Sequence, residues 1–271
     1  MGRVTTRRRI QRLSGAGVRT RPDTLAVEEP LEIRIDGAPF VVTMRTPGHD
    51  VELATGFLLS EGVITRGAEV RAAIHCGGPG SGGDQNTYNV LDLSLTVPAP
   101  APRSFYTTSA CGVCGKDSID SVRTVSPYDI SADSAPLAQE LLASLPGRLR
   151  EQQAVFDKTG GTHAAGLFTY DGELLAVRED VGRHNAVDKV IGWAALNGRV
   201  PLAETALQVS GRASFELVQK SAMAGIPVFG AVSAPSSLAA EMAEESGITL
   251  AGFMRGENMN VYANPERLFV L

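Results

Sequence analysis

The sequence predicts an α/β fold with a smaller β-rich part ahead of it, and three observations predict it. Beyond residue 200, short apolar runs and amphipathic stretches alternate, the pattern of helices packed on a partly parallel sheet. Before residue 103 the apolar runs are strand-like and close together. The 271 residues are 43% hydrophobic and 20% charged, an ordinary globular mixture able to bury a core. No apolar run reaches the roughly 18–20 residues of a membrane-spanning helix, so no membrane association is expected. Three cysteines are too few for a disulfide scaffold, and a reducing cytoplasm is the expected compartment.

The elements follow in order. Residues 1–22 form a basic arm: Arg3, Arg7, Arg8, Arg9, Arg12, Arg19 and Arg21 all precede the first acid, Asp23. The rest of the chain then carries 18 basic against 30 acidic residues, a balance of −12, which argues against a general nucleic-acid binder. The arm reads as a flexible, solvated tail, with contact to an anionic surface as the alternative. Arg7–Arg9 invites a twin-arginine export reading, but no apolar stretch follows.

Residues 23–102 form the β-rich part. Strands are expected at 24–28, 31–35 and 40–45, with Asp36-Gly37 as a hairpin turn. A helix is expected from Asp50 to Glu61, then a glycine loop at 77–83 and a strand at 88–97. The glycine loop lacks the lysine and the following helix of a phosphate cradle.

Residues 103–271 form the larger α/β domain. Helices are expected at 134–145, 183–196, 214–224 and 236–246. A hairpin is expected at 164–178 and strands at 206–210, 227–231 and 249–253. Sites in such sheets gather where strands end and helices begin. The turns 180–185, 210–214 and 233–237 occupy such places.

The sharpest motif is Cys111-Gly112-Val113-Cys114-Gly115-Lys116. Two cysteines so spaced suit half a zinc site, a redox dithiol or one reactive thiol with a helper. The glycines open the loop, and Lys116 favours the nucleophilic thiolate. His75 and Cys76 would complete four zinc ligands, but their adjacency makes joint tetrahedral coordination awkward. A deaminase zinc needs H-x-E, and His49, His75, His163 and His184 are followed two residues later by Val51, Gly77, Ala165 and Ala186. No zinc is expected. A thioredoxin-like dithiol would open a helix in a βαβ unit, whereas this one follows a proline-rich linker.

Three further clusters stand out. Gly160-Gly161-Thr162-His163 is a polar turn. Glu179 to Lys189 joins a strand end, Gly182 and a helix start, where Arg183 is placed to grip phosphate. Phe253-Met254-Arg255-Gly256-Glu257-Asn258 follows a strand. Phe253 suits stacking on a base, Arg255 phosphate and Glu257 a guanine edge. By itself that stretch also reads as a surface β-turn.

Taken in order, these pieces resemble the formate dehydrogenase accessory sulfurtransferase family, FdhD. The resemblance rests on 55–62 (TGFLLSEG), 109–115 (SACGVCG), 161–165 (GTHAA), 179–189 (EDVGRHNAVDK), 210–214 (SGRAS), 218–222 (VQKSA) and 265–268 (PERL). It implies a cytidine-deaminase-like three-layer domain without the deaminase zinc, and a homodimer. It implies a sulfur carrier that moves sulfur from a cysteine desulfurase to a molybdenum cofactor, molybdopterin guanine dinucleotide in its bis form, for formate dehydrogenase. It places the persulfide on Cys111, with Cys114 as second thiol, and the cofactor on Phe253 to Asn258. Arg183, Arg212 and Arg255 suit its pyrophosphates, with His184 beside them. A non-catalytic chaperone that only holds the cofactor is the alternative, and a deaminase-like metalloenzyme the third class.

Overall fold

The computed structural model describes residues 4–15, 17–76, 88–98, 124–133 and 135–270. The chain begins with β1 (Thr5–Ser14), β2 (Gly17–Ala26), β3 (Glu29–Ile35), β4 (Ala38–Arg45), α1 (Asp50–Ser60), β5 (Val70–His75) and β6 (Val90–Leu95). It continues with β7 (Leu137–Ala138), α2 (Gln139–Glu151), α3 (Ala154–Thr159), β8 (His163–Thr169), β9 (Leu174–Asp180) and α4 (Arg183–Leu196). The last elements are β10 (Thr205–Val209), α5 (Phe215–Met223), β11 (Val228–Ala231), α6 (Ser237–Glu245), β12 (Thr249–Arg255), β13 (Asn258–Ala263) and β14 (Leu268–Phe269).

The larger sheet has the order β13-β12-β11-β10-β8-β9. β10, β11 and β12 run parallel and the other neighbours antiparallel. The three parallel strands are buried on both faces over most of their length, which is why they read as unbroken apolar runs. Alternation sorts their side chains: Ala206, Val228, Ala251 and Met254 pack with Leu142, Leu145 and Leu149 of α2 on one face. Leu207, Phe229 and Leu250 pack with α4, α5 and α6 on the other. The result is helix, sheet and helix in three layers, as the α/β reading expects.

The smaller sheet has the order β4-β3-β6-β5. Leu31, Ile33 and Ile35 of β3 and Leu91, Leu93 and Leu95 of β6 form its buried face. Asp36 and Gly37 both take positive φ, 49° and 83°, the geometry a two-residue hairpin turn needs. α1 joins the two sheets. Its Leu53, Leu58 and Leu59 belong to the same core as Val187, Val190 and Ile191 of α4. The helices touch through glycines: a Cβ on Gly56 would overlap the Asp188 carbonyl, and one on Gly192 the Glu52 carbonyl.

The arm departs from the expected flexible tail. β1 and β2 pair antiparallel from Thr5↔Ala26 to Ser14↔Gly17. Alternation there carries arginine and threonine rather than an apolar period, so composition alone gave no strand signal.

Candidate functional site

Because β10, β11 and β12 are parallel, their carboxyl ends share one edge of the sheet. The start of β8 and the end of β9 lie at the same edge, through His163↔Asp180 and the antiparallel β8–β10 pairing. The three turns picked out from sequence therefore meet in space, joined by 160–163 and the end of β12. Backbone bonds stitch them: Ser233 N donates to Gly211 O at 3.2 Å, Ser236 N to Ala213 O at 3.0 Å, and Phe253 N to Ser233 O at 3.2 Å. Ser210 grips β8 twice, its N donating to Ala164 O at 3.0 Å and its Oγ accepting from Ala164 N at 2.9 Å.

The motif 179–189 divides into anchors and presented groups. Asp180 is fully buried and accepts from Thr46 N, Gly182 N, Asn185 Nδ2 and Lys189 Nζ, at 2.7–3.0 Å. Asp188 accepts from Ser60 Oγ at 2.9 Å and takes both carboxylate contacts from Lys220 Nζ, at 2.8 and 2.9 Å. Glu179 accepts from Val155 N, Phe156 N and Thr162 Oγ1, each at 2.8 Å, and so closes the start of α3. The buried Asp180 and Asp188 are paired with Lys189 and Lys220 and hydrogen-bonded, the condition for keeping such charges inside. What the motif presents at the edge is Arg183 and His184, both half-buried at the start of α4.

Three polar atoms near this edge are buried without a hydrogen-bond partner: Arg183 Nε, His184 Nε2 and Ser214 Oγ. His184 Nε2 lies 2.7 Å from Glu216 Oε2, an ion-pair distance without hydrogen-bond alignment. Such orphaned groups at a strand-to-helix edge call for a ligand or water. His163 is held below the usual histidine range, first by burial and then by the charges of Arg183 and His184. It stays neutral near pH 7 and can accept as well as donate. Between this edge and α2–α3 lies a cavity of about 670 Å³, with His163, Ser210, Arg150 and Phe156 on its wall.

The 253–258 stretch is the end of a β-hairpin, not an isolated turn. β12 and β13 pair with register shifts between Gly252 and Arg255, and Arg255 lies opposite Asn258. The bulge lifts Phe253 out of the sheet with φ 51° and leaves it 47% exposed. A bulky residue at positive φ is strained, and such strain gathers at working surfaces. Gly256 (φ 58°) turns the tip, and Arg255, Glu257 and Asn258 are exposed. Met254 corrects the sequence reading: its side chain is 1% exposed, packed into the α2-side core. It alternates inward from Phe253, so only its backbone can meet a ligand.

Cys111 and Cys114 lie outside the described residues, as do the glycine loop at 77–83 and most of the linker before residue 103. Cys76 follows β5, half-buried, and His75 Nε2 stands 3.8 Å from Asp50 Oδ2. Among the described residues no group of three or more metal-ligating side chains occurs, and no helix is long and apolar enough to cross a membrane. Glu216, Arg150 and Phe156 escaped the sequence reading. Ser214, the residue before α5, carried the nearest signal; the others are recruited by folding alone.

The edge thus offers the Arg183 Nε and Ser214 Oγ atoms without hydrogen-bond partners, a lifted aromatic ring and a neighbouring cavity, which suit an anionic ligand with a planar base. Comparison with known proteins covers nearly the whole chain. Residues 26–269 match the model of the FdhD/NarQ family. The chain is 60% identical over 268 residues to the sulfur carrier protein FdhD of Nocardia farcinica, covering 98% of this chain and 96% of that one. It is 57% identical over 275 residues to the protein of that name from Streptomyces avermitilis, covering 99% and 97%. It is 55% identical over 275 residues to that of Mycobacterium tuberculosis, covering 99% and 100%. The fold is similar to a crystal structure from Desulfotalea psychrophila described as a formate dehydrogenase accessory protein. The TM-score there is 0.76 at 24% identity, over 98% of this chain and 100% of that one. On the family model and these identities, the chain belongs to the FdhD/NarQ family.

Proposed function

We propose that this chain is a sulfur carrier. In this reading it takes sulfur from a cysteine desulfurase and passes it to bis-molybdopterin guanine dinucleotide for formate dehydrogenase. The observation that carries the reading is a Cys-x-x-Cys pair lying inside a chain 55–60% identical to proteins named sulfur carriers. The Cys111 thiolate attacks the outer sulfur of the donor's persulfide. A new S–S bond forms on Cys111, the old one breaks, and the donor cysteine leaves as thiolate, so no oxidant is needed. In delivery, the Cys114 thiolate attacks the inner sulfur, a Cys111–Cys114 disulfide closes, and the outer sulfur departs as sulfide toward the cofactor. A thiol reductant then restores both thiols.

The cofactor is the substrate of this transfer, and its metal supplies the centre that receives sulfur. The sheet edge fits it, because the partnerless Arg183 Nε and Ser214 Oγ match phosphate chemistry. Phe253 stacks on guanine, Glu257 accepts from the guanine edge, and Arg255 and Arg183 hold the pyrophosphate, with Arg212 and His184 beside them. Gly256, Asn258 and the Met254 backbone complete the hairpin. Chemistry of this kind belongs in a reducing cytoplasm, and the chain acts as a homodimer.

The test is intact mass after incubation with a cysteine desulfurase and cysteine. The wild type gains one sulfur that reductant removes, and Cys111→Ala gains none and fails to activate formate dehydrogenase. The orphaned donors and lifted Phe253 would equally serve a chaperone that only holds the cofactor. Full activation by Cys111→Ala would establish that second reading and overturn the first.

A further inference from the structure

The cavity between the sheet edge and α2–α3 lies on the other face of the sheet from the groups assigned so far. Ala206 packs against α2, and alternation puts Ser210, four residues on and part of the cavity wall, on the same face. Arg183 and Ser214 stand where α4 and α5 begin, and those helices pack on the opposite face. No residue from Phe253 to Asn258 lines the cavity. Its volume of about 670 Å³ is therefore a separate space of ligand size.

The wall is polar without offering a free charge. Gln153 joins α2 to α3, its N–H donating to Arg150 O at 3.3 Å and its carbonyl accepting from Asp157 N at 3.0 Å. It lines the cavity and is 4% exposed, yet its side-chain amide has no hydrogen-bond partner among the described residues. A buried amide left unpaired is costly and calls for a partner. The His163 ring is also without a partner among the described residues, and burial first, then the charges of Arg183 and His184, hold it below the usual histidine range. Ser210 Oγ accepts from Ala164 N at 2.9 Å, which leaves its O–H to donate. Arg150, the wall's arginine, is already paired with Asp157 at 2.6 Å and lies over the Phe156 ring, 5.0 Å from its centre. Among the described residues no acid lines the cavity.

We propose that this cavity is a subsite for a neutral, flat heterocycle whose edge carries a hydrogen-bond donor beside an acceptor, read by the Gln153 amide. An anion finds no free cation there, and a cation finds no carboxylate. A wholly apolar ring would leave the amide unpaired. An extended peptide brings such an edge but no flat face to lay against Phe156. Pterin and guanine rings share the required edge, each with an amide-like N–H beside a carbonyl. That the ring is a pterin rests on the sulfur-carrier reading, in which the hairpin takes guanine; the class of ligand rests on the wall alone.

Calorimetric titration of the full chain tests it, with hydroxymethylpterin and guanosine as the heterocycles. Benzoate, benzamidine, indole and acetyl-trialanine amide serve as anionic, cationic, acceptor-free and peptide probes. At least one heterocycle is expected to bind once per chain, more tightly than any of these probes. Binding of the pterin alone or of guanosine alone identifies the source of the ring, and either upholds the subsite. Gln153→Leu is expected to weaken that binding about tenfold, because the edge of the ring is then left unpaired. Phe156→Leu, whose ring belongs to neither core, is expected to weaken it roughly three- to tenfold through lost stacking. Gln152→Leu, exposed and outside the cavity, is expected to change it less than about twofold. The Gln153 amide is unpaired in the free protein, so Gln153→Leu is also expected to unfold at the same urea concentration as the wild type or a higher one. Failure of both heterocycles to bind, tighter binding of any other probe, or unchanged affinity in Gln153→Leu or Phe156→Leu would each overturn the proposal. A lowered urea midpoint for Gln153→Leu would do so too, since the amide would then serve the fold. GDP affinity and persulfide loading of Cys111 are scored separately, so failure of sulfur carriage leaves this result standing.

Discussion

Phe253 shows how one residue joins strain to use. A leucine or glycine would satisfy the backbone of a bulge as well as or better than a phenylalanine held at φ 51°. The ring is nearly half exposed and contributes little to the core, so its value lies in what it can cover. Phe253→Gly is expected to leave the protein as stable as before, or about 1 kcal/mol more stable, because the left-handed conformation then carries no penalty. The same change is expected to weaken GDP binding, as a fragment of the cofactor, roughly three- to tenfold through lost stacking. Chemical denaturation and calorimetric titration read the two effects. A destabilised variant with unchanged GDP affinity would return Phe253 to a packing role. The sequence reading took Phe253 and Met254 together, as parts of the 253–258 stretch at a strand end that the family resemblance assigns to the cofactor. Which of the two faced outward depended on a bulge that only the pairing with β13 creates.

At the scale of elements, α1 and α4 were the most legible, and their boundaries fell within a residue of expectation. Their contact was not legible. Gly56 and Gly192 look like ordinary helix glycines, which are mildly unfavourable, until each proves to lie against the other helix's backbone. Gly56→Ala or Gly192→Ala is therefore expected to cost about 3 kcal/mol, the upper end for overpacking, since backbone cannot swing aside as a side chain can. Gly147→Ala in α2, with open space at its Cβ, serves as the neutral or stabilising control in urea unfolding. A cost below about 1 kcal/mol at Gly56 would mean the helices separate easily. Other elements were hidden for physical reasons. α2 was expected to stop before Pro146, yet it runs through to Glu151 because Leu142, Leu145 and Leu149 all bury against the sheet. That packing offsets the lost helix bond. α3 is six residues long, too short for a period, and its first turn is closed by Glu179 from a distant strand. β13 takes its conformation from β12.

For the molecule as a whole, the composition shift near residue 103 suggests two parts, whereas the packing runs through both. One core holds Leu31, Leu53 and Leu93 from the first together with Val190, Leu217 and Phe229 from the second. Buried polar links cross the same line. Asn185 Nδ2 donates to Met44 O at 2.7 Å, Lys189 Nζ to Thr46 O at 2.9 Å, and Arg178 pairs with Glu52 through two contacts of 2.5 and 2.7 Å. Burial alone would raise Glu52, yet the bonds and charge of Arg178, with His49, bring it down to about 2. Separating the parts would strip α1 of its partner and leave Asp180 without its Thr46 donor. Each loss exposes apolar surface or leaves a buried charge less satisfied, and such losses cost several kcal/mol against a total stability of about 5–15. Calorimetry of the full chain is therefore expected to show one transition, with van't Hoff and calorimetric enthalpies equal. Residues 23–98 and 124–271, expressed separately, are expected to show none. Two resolved transitions in the full chain, or a cooperative transition in either piece, would mean that the edge carrying Arg183 and His184 does not need the first part to hold it in place.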